Sequence, residues 1–251
     1  MIFSIITATY NREKTIARSI KSVKSQSYSN IQHIVIDGKS NDKSIAIINK
    51  LLLDNDIFLS ESDSGIYDAL NKGLSLATGD VIGFMHSDDC YFNDEVLTKV
   101  ANIFLDNEID IVYGDACFFK NDDIHKIIRY YKSDRLSKKN LAWGKMPAHP
   151  AIFIRNRVYK KYGMFDTNFK IAGDYEFLCR LVSIKNFNSV YLSEPFVRMQ
   201  HGGASTSGLK GLIIIFKEIR RALKNNSIYS NVFMLLSRYP SKIMQYFIKQ
   251  N

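Results

Sequence analysis

The strongest constraint on the fold is an alternation repeated through the first hundred residues. Short apolar runs close in polar clusters, and each is followed by apolar residues at helical spacing. Phe3 to Ala8, Ile31 to Ile36, Ile57 to Leu59 and Val81 to Met85 read as strands. Ile16, Ile20 and Val23 mark the first helix, and Ile45, Ile48 and Leu52 the second. Ile66, Leu70 and Ala77 mark the third, and Val96, Val100, Ile103 and Phe104 the fourth. Repeated βα units with short connections imply a mostly parallel sheet with helices on both faces, a Rossmann-like α/β nucleotide fold by pattern.

Just past the fourth run stand two adjacent carboxylates, Asp88 and Asp89, with no basic residue beside them. In open α/β sheets ligands sit beyond the carboxyl ends of strands. Mg²⁺ or Mn²⁺ takes oxygen ligands and is commonly held by one or two carboxylates, with water and substrate phosphates completing the shell. The pair reads as a divalent-metal site beside a phosphate, or as a turn and helix cap. The other strand ends are polar too. Thr7 to Arg12 offers small residues for close approach, Tyr10 to stack on a base, and a helix start that favours anions; a plain cap needs only Thr9 or Asn11. Asp37 places a lone carboxylate at the next edge, to accept from a base N–H or to initiate a turn. Asp63 or Ser64 can cap the helix after the third strand.

Beyond the run Ile109 to Tyr113 the pattern loosens. Cys117 to Lys120 and Ile124 to Tyr131 read as an antiparallel pair around Asn121-Asp122-Asp123. The chain divides into a nucleotide-binding half, 1–113, a second half grafted onto it, 114–208, and a helical tail, 209–251. With 251 residues, 46% of them hydrophobic, a sizeable core is available. Cys90, Cys117 and Cys179 are odd in number and lack metal-binding spacing, which fits a reducing cytoplasm. The start runs directly into a strand, and no apolar run reaches the ~20 residues of a membrane span. The expected location is cytoplasmic.

The net charge of +9 is concentrated at one end. From Leu209 to Asn251 there are 8 Lys or Arg against 1 Glu, so +7 belongs to the tail and +2 to the remainder. Aromatic residues are scattered and no basic stacking groove is visible, so a nucleic-acid binder is a weak third reading and no nucleic-acid partner is expected. The tail reads as two helices, Leu209 to Lys224 and Ile228 to Ile248, broken at Asn225-Asn226 and Pro240. Leu209, Leu212, Ile213, Phe216 and Leu223 form a stripe flanked by Lys217, Arg220, Arg221 and Lys224. Such a helix suits an anionic membrane surface, or packs on the domain with a solvated basic face.

The segments Ser4 to Arg12, Asp37 to Asp42, Glu61 to Gly73, Ala77 to Asp80 and Ser87-Asp88-Asp89 resemble family 2 glycosyltransferases of the GT-A fold. The likeness spans residues 1–205, and it is greatest to bacterial members that build O-antigen, capsule and other exopolysaccharides. It implies that Thr9, Tyr10 and Asp37 hold the nucleoside, that Asp63 and Asp88 contact nucleotide or donor sugar, and that Asp89 binds Mg²⁺ or Mn²⁺. Ser87 stands where the literal D-x-D motif has its first Asp.

Such an enzyme needs a general base. Asp174 shares an i, i+3, i+4, i+7 stripe with Phe177, Leu178 and Leu181, so it begins a helix on its apolar face. Glu176 stands four residues before Arg180, the spacing of a surface ion pair. Gly173-Asp174-Tyr175-Glu176 resembles the family's Glu-Asp base motif, which implies Asp174 as the base; simple helix capping is the other reading. His149, before Pro150, resembles a histidine on the acceptor side, or is structural at a bend. His201, before two glycines, is a further metal ligand, a diphosphate contact or a turn residue. Trp143 stacks on an acceptor sugar or is core.

The expectation is an inverting, metal-dependent glycosyltransferase that uses a nucleotide sugar, a UDP-sugar first, and acts on a saccharide acceptor. The tail points to a polyprenyl-diphosphate-linked acceptor and peripheral attachment to the inner face of the membrane. Two other readings fit the same pattern. One is a sugar-nucleotide nucleotidyltransferase, although Thr7 to Arg12 lacks a glycine-rich loop; the other is a noncatalytic nucleotide-sugar binding module.

Overall fold

The first strand, β1 (Phe3–Thr9), is buried along its whole length and sends alternate side chains to opposite faces of the sheet. Phe3 and Ile5 enter one core cluster, Ile6 and Ala8 another. That double burial is what the apolar run requires, and it keeps β1 inside the sheet, away from either edge. The computed structural model describes residues 1–120, 123–184, 187–202 and 208–237.

Parallel neighbours flank β1 on both sides. β2 (Ile31–Asp37) lies on one side with β3 (Ile57–Ser60) beyond it, and β4 (Val81–Phe84) lies on the other. The order β3-β2-β1-β4 changes direction at β1, so the crevice past the ends of β1 and β4 is the topological switch point where α/β sheets bind ligands. The crossover helices α1 (Ile16–Lys24), α2 (Ser44–Leu51) and α3 (Ile66–Leu76) turn Ile16, Ile20, Val23, Ile48 and Leu70 inward as predicted, but Ile66, at the first position of α3, is 38% exposed and its neighbour Tyr67 is buried instead. Ile16 and Ile20 pack with Val35 and Ile48 on one face, while Leu70 and Leu74 pack with Ile34 and Ile36 on the other.

The remainder extends the same sheet. After β5 (Cys90–Tyr91) and α4 (Val96–Ile103) come β6 (Ile111–Lys120) and β7 (Asp123–Tyr131), the expected antiparallel pair. The sequence reads 109–113 and 117–120 as separate runs; the structure joins them in one strand. Gly114 lies between them because a Cβ there would sit 2.7 Å from the Phe196 ring. Next come α5 (Lys138–Ala142), β8 (Ile152–Arg155), α6 (Asn156–Tyr162), α7 (Gly173–Ser183) and β9 (Ser189–Gln200). β8 is antiparallel to both β4 and β6, β9 runs parallel to β6, and β5 closes the edge against β9.

The tail helix α8 (Gly208–Asn225) packs on α7, and a short α9 (Val232–Leu236) follows. Ile219, Ala222, Leu223, Ile228 and Leu235 are buried in the same cluster as the sheet face formed by Ile6, Ile34 and Ile82. The tail is therefore part of the core, and its buried face is rotated from the stripe read in sequence: Leu212 and Ile213 are exposed. The expected second tail helix is described only as far as residue 237; its later part, including Pro240, lies outside the described residues. Among the described residues no helix is long and apolar enough to cross a membrane. Cys90, Cys117 and Cys179 are buried free thiols.

Candidate active site

Two loops at the carboxyl ends of β1 and β2 are stapled together. Thr9 and Asp37 are register partners, Gly38 N donates to Thr9 O at 2.9 Å, Asn11 N to Ser40 Oγ at 2.8 Å, and Asn41 N to Asn11 Oδ1 at 2.9 Å. Tyr10 stands above them, 58% exposed, so a ring face is open to a stacking base. Asp63 leans over the same spot from the β3 end: a Cβ on Gly38 would lie 2.5 Å from Asp63 Oδ2 and 3.4 Å from Tyr10 Cδ2. Tyr10 and Asp63 thus meet over Gly38, beside the paired strand ends that carry Thr9 and Asp37. Thr9 Oγ1 is buried with no hydrogen-bond partner among the described residues, a cost of about 1–3 kcal/mol that a bound ligand could remove.

Asp37 accepts from Ser40 N, Ser40 Oγ and Ser60 Oγ and is fully buried, so it does build the turn that the sequence offered as an alternative to base contact. Asp63 accepts from Gly65 N at 3.0 Å. Neither Asp63 nor Ser64 is the helix cap, however. The N-cap is Gly65 at φ 134°, a conformation that favours glycine, and Asp68 reaches back to Ser64 N at 2.9 Å.

Past β4, the Ser87-Asp88-Asp89 turn is held by Arg18 from α1, whose guanidinium donates to Asp88 O at 2.8 Å and Gln200 Oε1 at 2.7 Å. Asp89 is 3% exposed and accepts one hydrogen bond among the described residues, from Gln200 N at 3.0 Å. The contrast with Asp115 is informative. That carboxylate, also buried, receives Tyr130 OH, Ser133 N and Tyr191 OH. Asp89 has no such set of donors, and burial, followed by the Asp88 charge, pushes its carboxyl well above the usual range. A buried carboxylate with another beside it and few donors suits a hard divalent cation. Among the described residues no group of three or more His, Cys, Asp or Glu side chains gathers to hold a metal, so a cation here would rely on Asp88, Asp89, water and substrate oxygens. The exposed His201 follows Gln200 and donates its backbone N–H to Phe119 O at 2.9 Å; it joins no such ligand group among the described residues.

Between this turn and Asp174 lies a layer of rings. His149 stacks on Phe84 at 4.7 Å and lies 5.5 Å from His86 and 5.6 Å from Phe165; Phe165 is 5.5 Å from Tyr67. Burial, and then the neighbouring His86, lower the His149 pKa well below its usual value, so the ring is neutral. Its Nε2 is buried without a partner among the described residues.

Asp174, in the first turn of α7, is half-buried and accepts from Tyr175 N at 2.8 Å. Tyr67 OH lies 3.0 Å from Asp174 Oδ1 and 2.7 Å from Ile171 O; its single proton serves one acceptor at a time. Burial raises the Asp174 pKa to about 6, against the opposing Tyr175 N–H and Tyr67 hydrogen bonds. Gly173 allows the close contact, since a Cβ there would lie 2.8 Å from the Tyr67 ring. Glu176 is paired with Arg180 at 2.9 Å, but its side chain is 9% exposed, so this is a buried-side clamp and not the surface pair its spacing suggests. Trp143, 39% exposed at the end of α5, is not core.

Motif and period in the sequence do not mark Tyr67, His86 or Arg18 as site residues. Tyr67 lies within the Glu61 to Gly73 segment, where a polar-tipped aromatic on the inward face of α3 was the available signal. His86 and Arg18 come together with the site only through the fold.

A family model described as glycosyl transferase family 2 matches residues 4–173, ending one residue before Asp174. An uncharacterized glycosyltransferase of Mycobacterium tuberculosis is 32% identical over 182 residues, covering 70% of this chain and 67% of the relative. A PGL/p-HBAD biosynthesis glycosyltransferase of the same species is 25% identical over 248 residues, covering 96% and 92%. Among solved structures, S. aureus TarS 1-349 in complex with UDP superposes with TM-score 0.70 at 19% identity, covering 96% of this chain and 72% of that one. The mannosyltransferase PcManGT of Pyrobaculum calidifontis, in complex with GDP-Man and Mn²⁺, gives TM-score 0.65 at 15% identity, covering 99% and 76%. These likenesses confirm the expected fold class, an α/β GT-A architecture with helices on both faces of the sheet.

Proposed function

The chain belongs to glycosyl transferase family 2, an enzyme family, and from that premise we propose that it moves a sugar from a UDP-sugar to a saccharide hydroxyl with inversion. The observation that carries the mechanism is Asp174, a half-buried carboxyl raised to about 6, connected through the successive ring contacts of Tyr67, Phe165, His149 and His86 to the strand end that leads into the Asp88-Asp89 turn. A carboxylate of that basicity is mostly ionised at neutral pH, yet accepts a proton more readily than an ordinary Asp. The acceptor O–H gives its proton to Asp174 as its oxygen bonds to the anomeric carbon, and the bond from that carbon to the diphosphate oxygen breaks with the electron pair leaving on the nucleotide. Thr9, Tyr10 and Asp37 hold the nucleoside, and Asp63 and Asp88 contact the nucleotide or donor sugar. His149 and Trp143 face the acceptor. Mg²⁺ or Mn²⁺ held by Asp89, with His201 a secondary candidate ligand, would supply charge stabilisation to the leaving diphosphate. Residues 1–113 serve the donor and 114–208 the acceptor and base.

UDP bound to a structural neighbour supports the choice of donor class. Titrating UDP into the protein with and without Mn²⁺ tests it, followed by transfer assays with UDP-sugars; binding of GDP or dTDP instead would overturn the UDP assignment.

A polyprenyl-diphosphate-linked acceptor at the inner face of the cell membrane, in bacterial surface polysaccharide synthesis, is the setting we assign. Exposed Ile213, Tyr229, Val232 and Phe233 lie in α8, α9 and their connection, together with exposed Lys217, Arg220 and Lys224. Apolar side chains with flanking basic groups suit an anionic lipid surface. Because α8 is part of the core, deleting the tail would unfold the protein and cannot serve as the test. The double change Tyr229→Ser and Phe233→Ser should reduce sedimentation with anionic vesicles at least ~10-fold, with transfer to a soluble acceptor unchanged. Undiminished sedimentation would remove the surface.

A further inference from the structure

The tail carries one acidic residue between Leu209 and Asn251, Glu218, and it is 7% exposed. Its carboxylate leaves α8 to meet three consecutive backbone N–H groups: Lys170 N donates to Oε1 at 2.7 Å, and Ile171 N and Ala172 N each donate to Oε2 at 2.9 Å. Successive N–H groups aimed at one point form an anion nest, and a carboxylate filling it fixes three residues at once. The held segment ends at Ala172, the N-cap of α7, two residues before Asp174. From its other side Tyr67 OH donates to Ile171 O at 2.7 Å, and the Tyr67 ring packs on Gly173.

We infer that Glu218 is a positioning residue for the catalytic base: α8 reaches across with a buried carboxylate and sets where α7 begins, and hence where Asp174 points. The family model ends at residue 173, so this part of the catalytic apparatus lies outside the matched region. A helical register with Ile215, Ile219 and Ala222 places Glu218 on the buried face of α8, where a carboxylate without partners would be strongly disfavoured. The backbone nest is its compensation. Arg221, one turn on, grips the same loop through Asn168 O at 2.9 Å and lies 3.9 Å over the Phe169 ring. That contact stabilises the docking of α8 without touching the 170–172 segment.

The inference rests on Asp174 being the base, and the test separates the two. Among the described residues, the titratable side chains that act on Asp174 include Tyr67 from α3 and Glu218 from α8; the Glu218 charge acts to raise the Asp174 pKa. Glu218→Gln keeps the shape, removes the charge and loses an acceptor. The expected result is a drop in kcat of ~10- to 100-fold with donor KM little changed, since small displacements of a reacting group cost that much. The acid limb of the kcat profile should also move to lower pH. Arg221→Met is the control: it should lower Tm without moving the acid limb. Glu218→Asp, which retains charge but is too short to serve all three N–H groups, should lower kcat with the limb shifted less. Full kcat in Glu218→Gln, or losses in all three variants that follow Tm alone with no movement of the limb, would overturn the role of Glu218. Full transfer by Asp174→Asn would overturn the base assignment and this inference with it.

Discussion

Asp174→Asn should lower kcat by about 10²–10⁴-fold, the usual contribution of a general base, with UDP affinity unchanged. The substitution is clean because Oδ1 survives in the amide and continues to accept from Tyr175 N, so the start of α7 has no reason to move. What is lost is the ability to take a proton. The wild-type pH profile should carry the same signature, with kcat falling about tenfold per unit below the pKa of about 6 as Asp174 becomes protonated. Stability should move the other way. A carboxyl whose folded pKa is raised from 3.8 to about 6 favours the folded state fully below 3.8, and that benefit is lost as pH rises through 6. At neutral pH the native state therefore bears the cost of an ionised, half-buried carboxylate, up to about 3 kcal/mol. Asp174→Asn removes that cost, so Tm at pH 7.5 should stay level or rise while transfer disappears. Stabilisation on loss of activity is what a strained functional group gives, whereas a simple helix cap would lower both. Retained transfer at or near the wild-type rate would eliminate Asp174 as the base.

The parts of this site that could be read from the sequence are those positioned by the sheet. Thr9, Asp37, Asp63, Asp88 and Asp89 stand at strand ends, and a parallel βα alternation puts strand ends on one edge whatever the details of packing. Asp174 was legible for a different reason, its place on the inward stripe of a helix. Partners brought in from afar left no such trace. Tyr67 and Asp174 are separated by 107 positions, and Glu218 meets residues 46 to 48 positions earlier. The tail shows how period alone misleads: Leu212 and Ile213 are apolar and exposed, while the charged Glu218 is buried. β8 and β9 went unread because their strand character comes from pairing with β4 and β6, and β9 is only partly buried along most of its length.

Asp89→Asn should abolish transfer and metal-dependent UDP binding, and in metal-free buffer it should raise Tm. The one hydrogen bond that the Asp89 carboxylate accepts among the described residues, from Gln200 N, can be made equally well by an amide oxygen, so the substitution leaves the turn intact. The charge, by contrast, is poorly compensated, and burial with Asp88 alongside raises the carboxyl pKa well above 3.8. By the same linkage, Asp89 favours folding fully below 3.8, and the benefit is lost as pH rises through its elevated folded pKa. The Tm advantage of Asp89→Asn should therefore be large at neutral pH and close as the buffer is acidified. Added Mn²⁺ should reverse the order. A cation that binds only the native state stabilises it by mass action, so wild-type Tm should climb with Mn²⁺ concentration while the variant stays flat. A purely structural Asp89, present to cap Gln200 and nothing more, predicts the opposite: no gain in Tm for the variant at any pH, and an identical response of both proteins to metal. Differential scanning fluorimetry across pH, with and without Mn²⁺, separates the two without any assay of sugar transfer, which keeps the metal assignment independent of the identity of donor and acceptor.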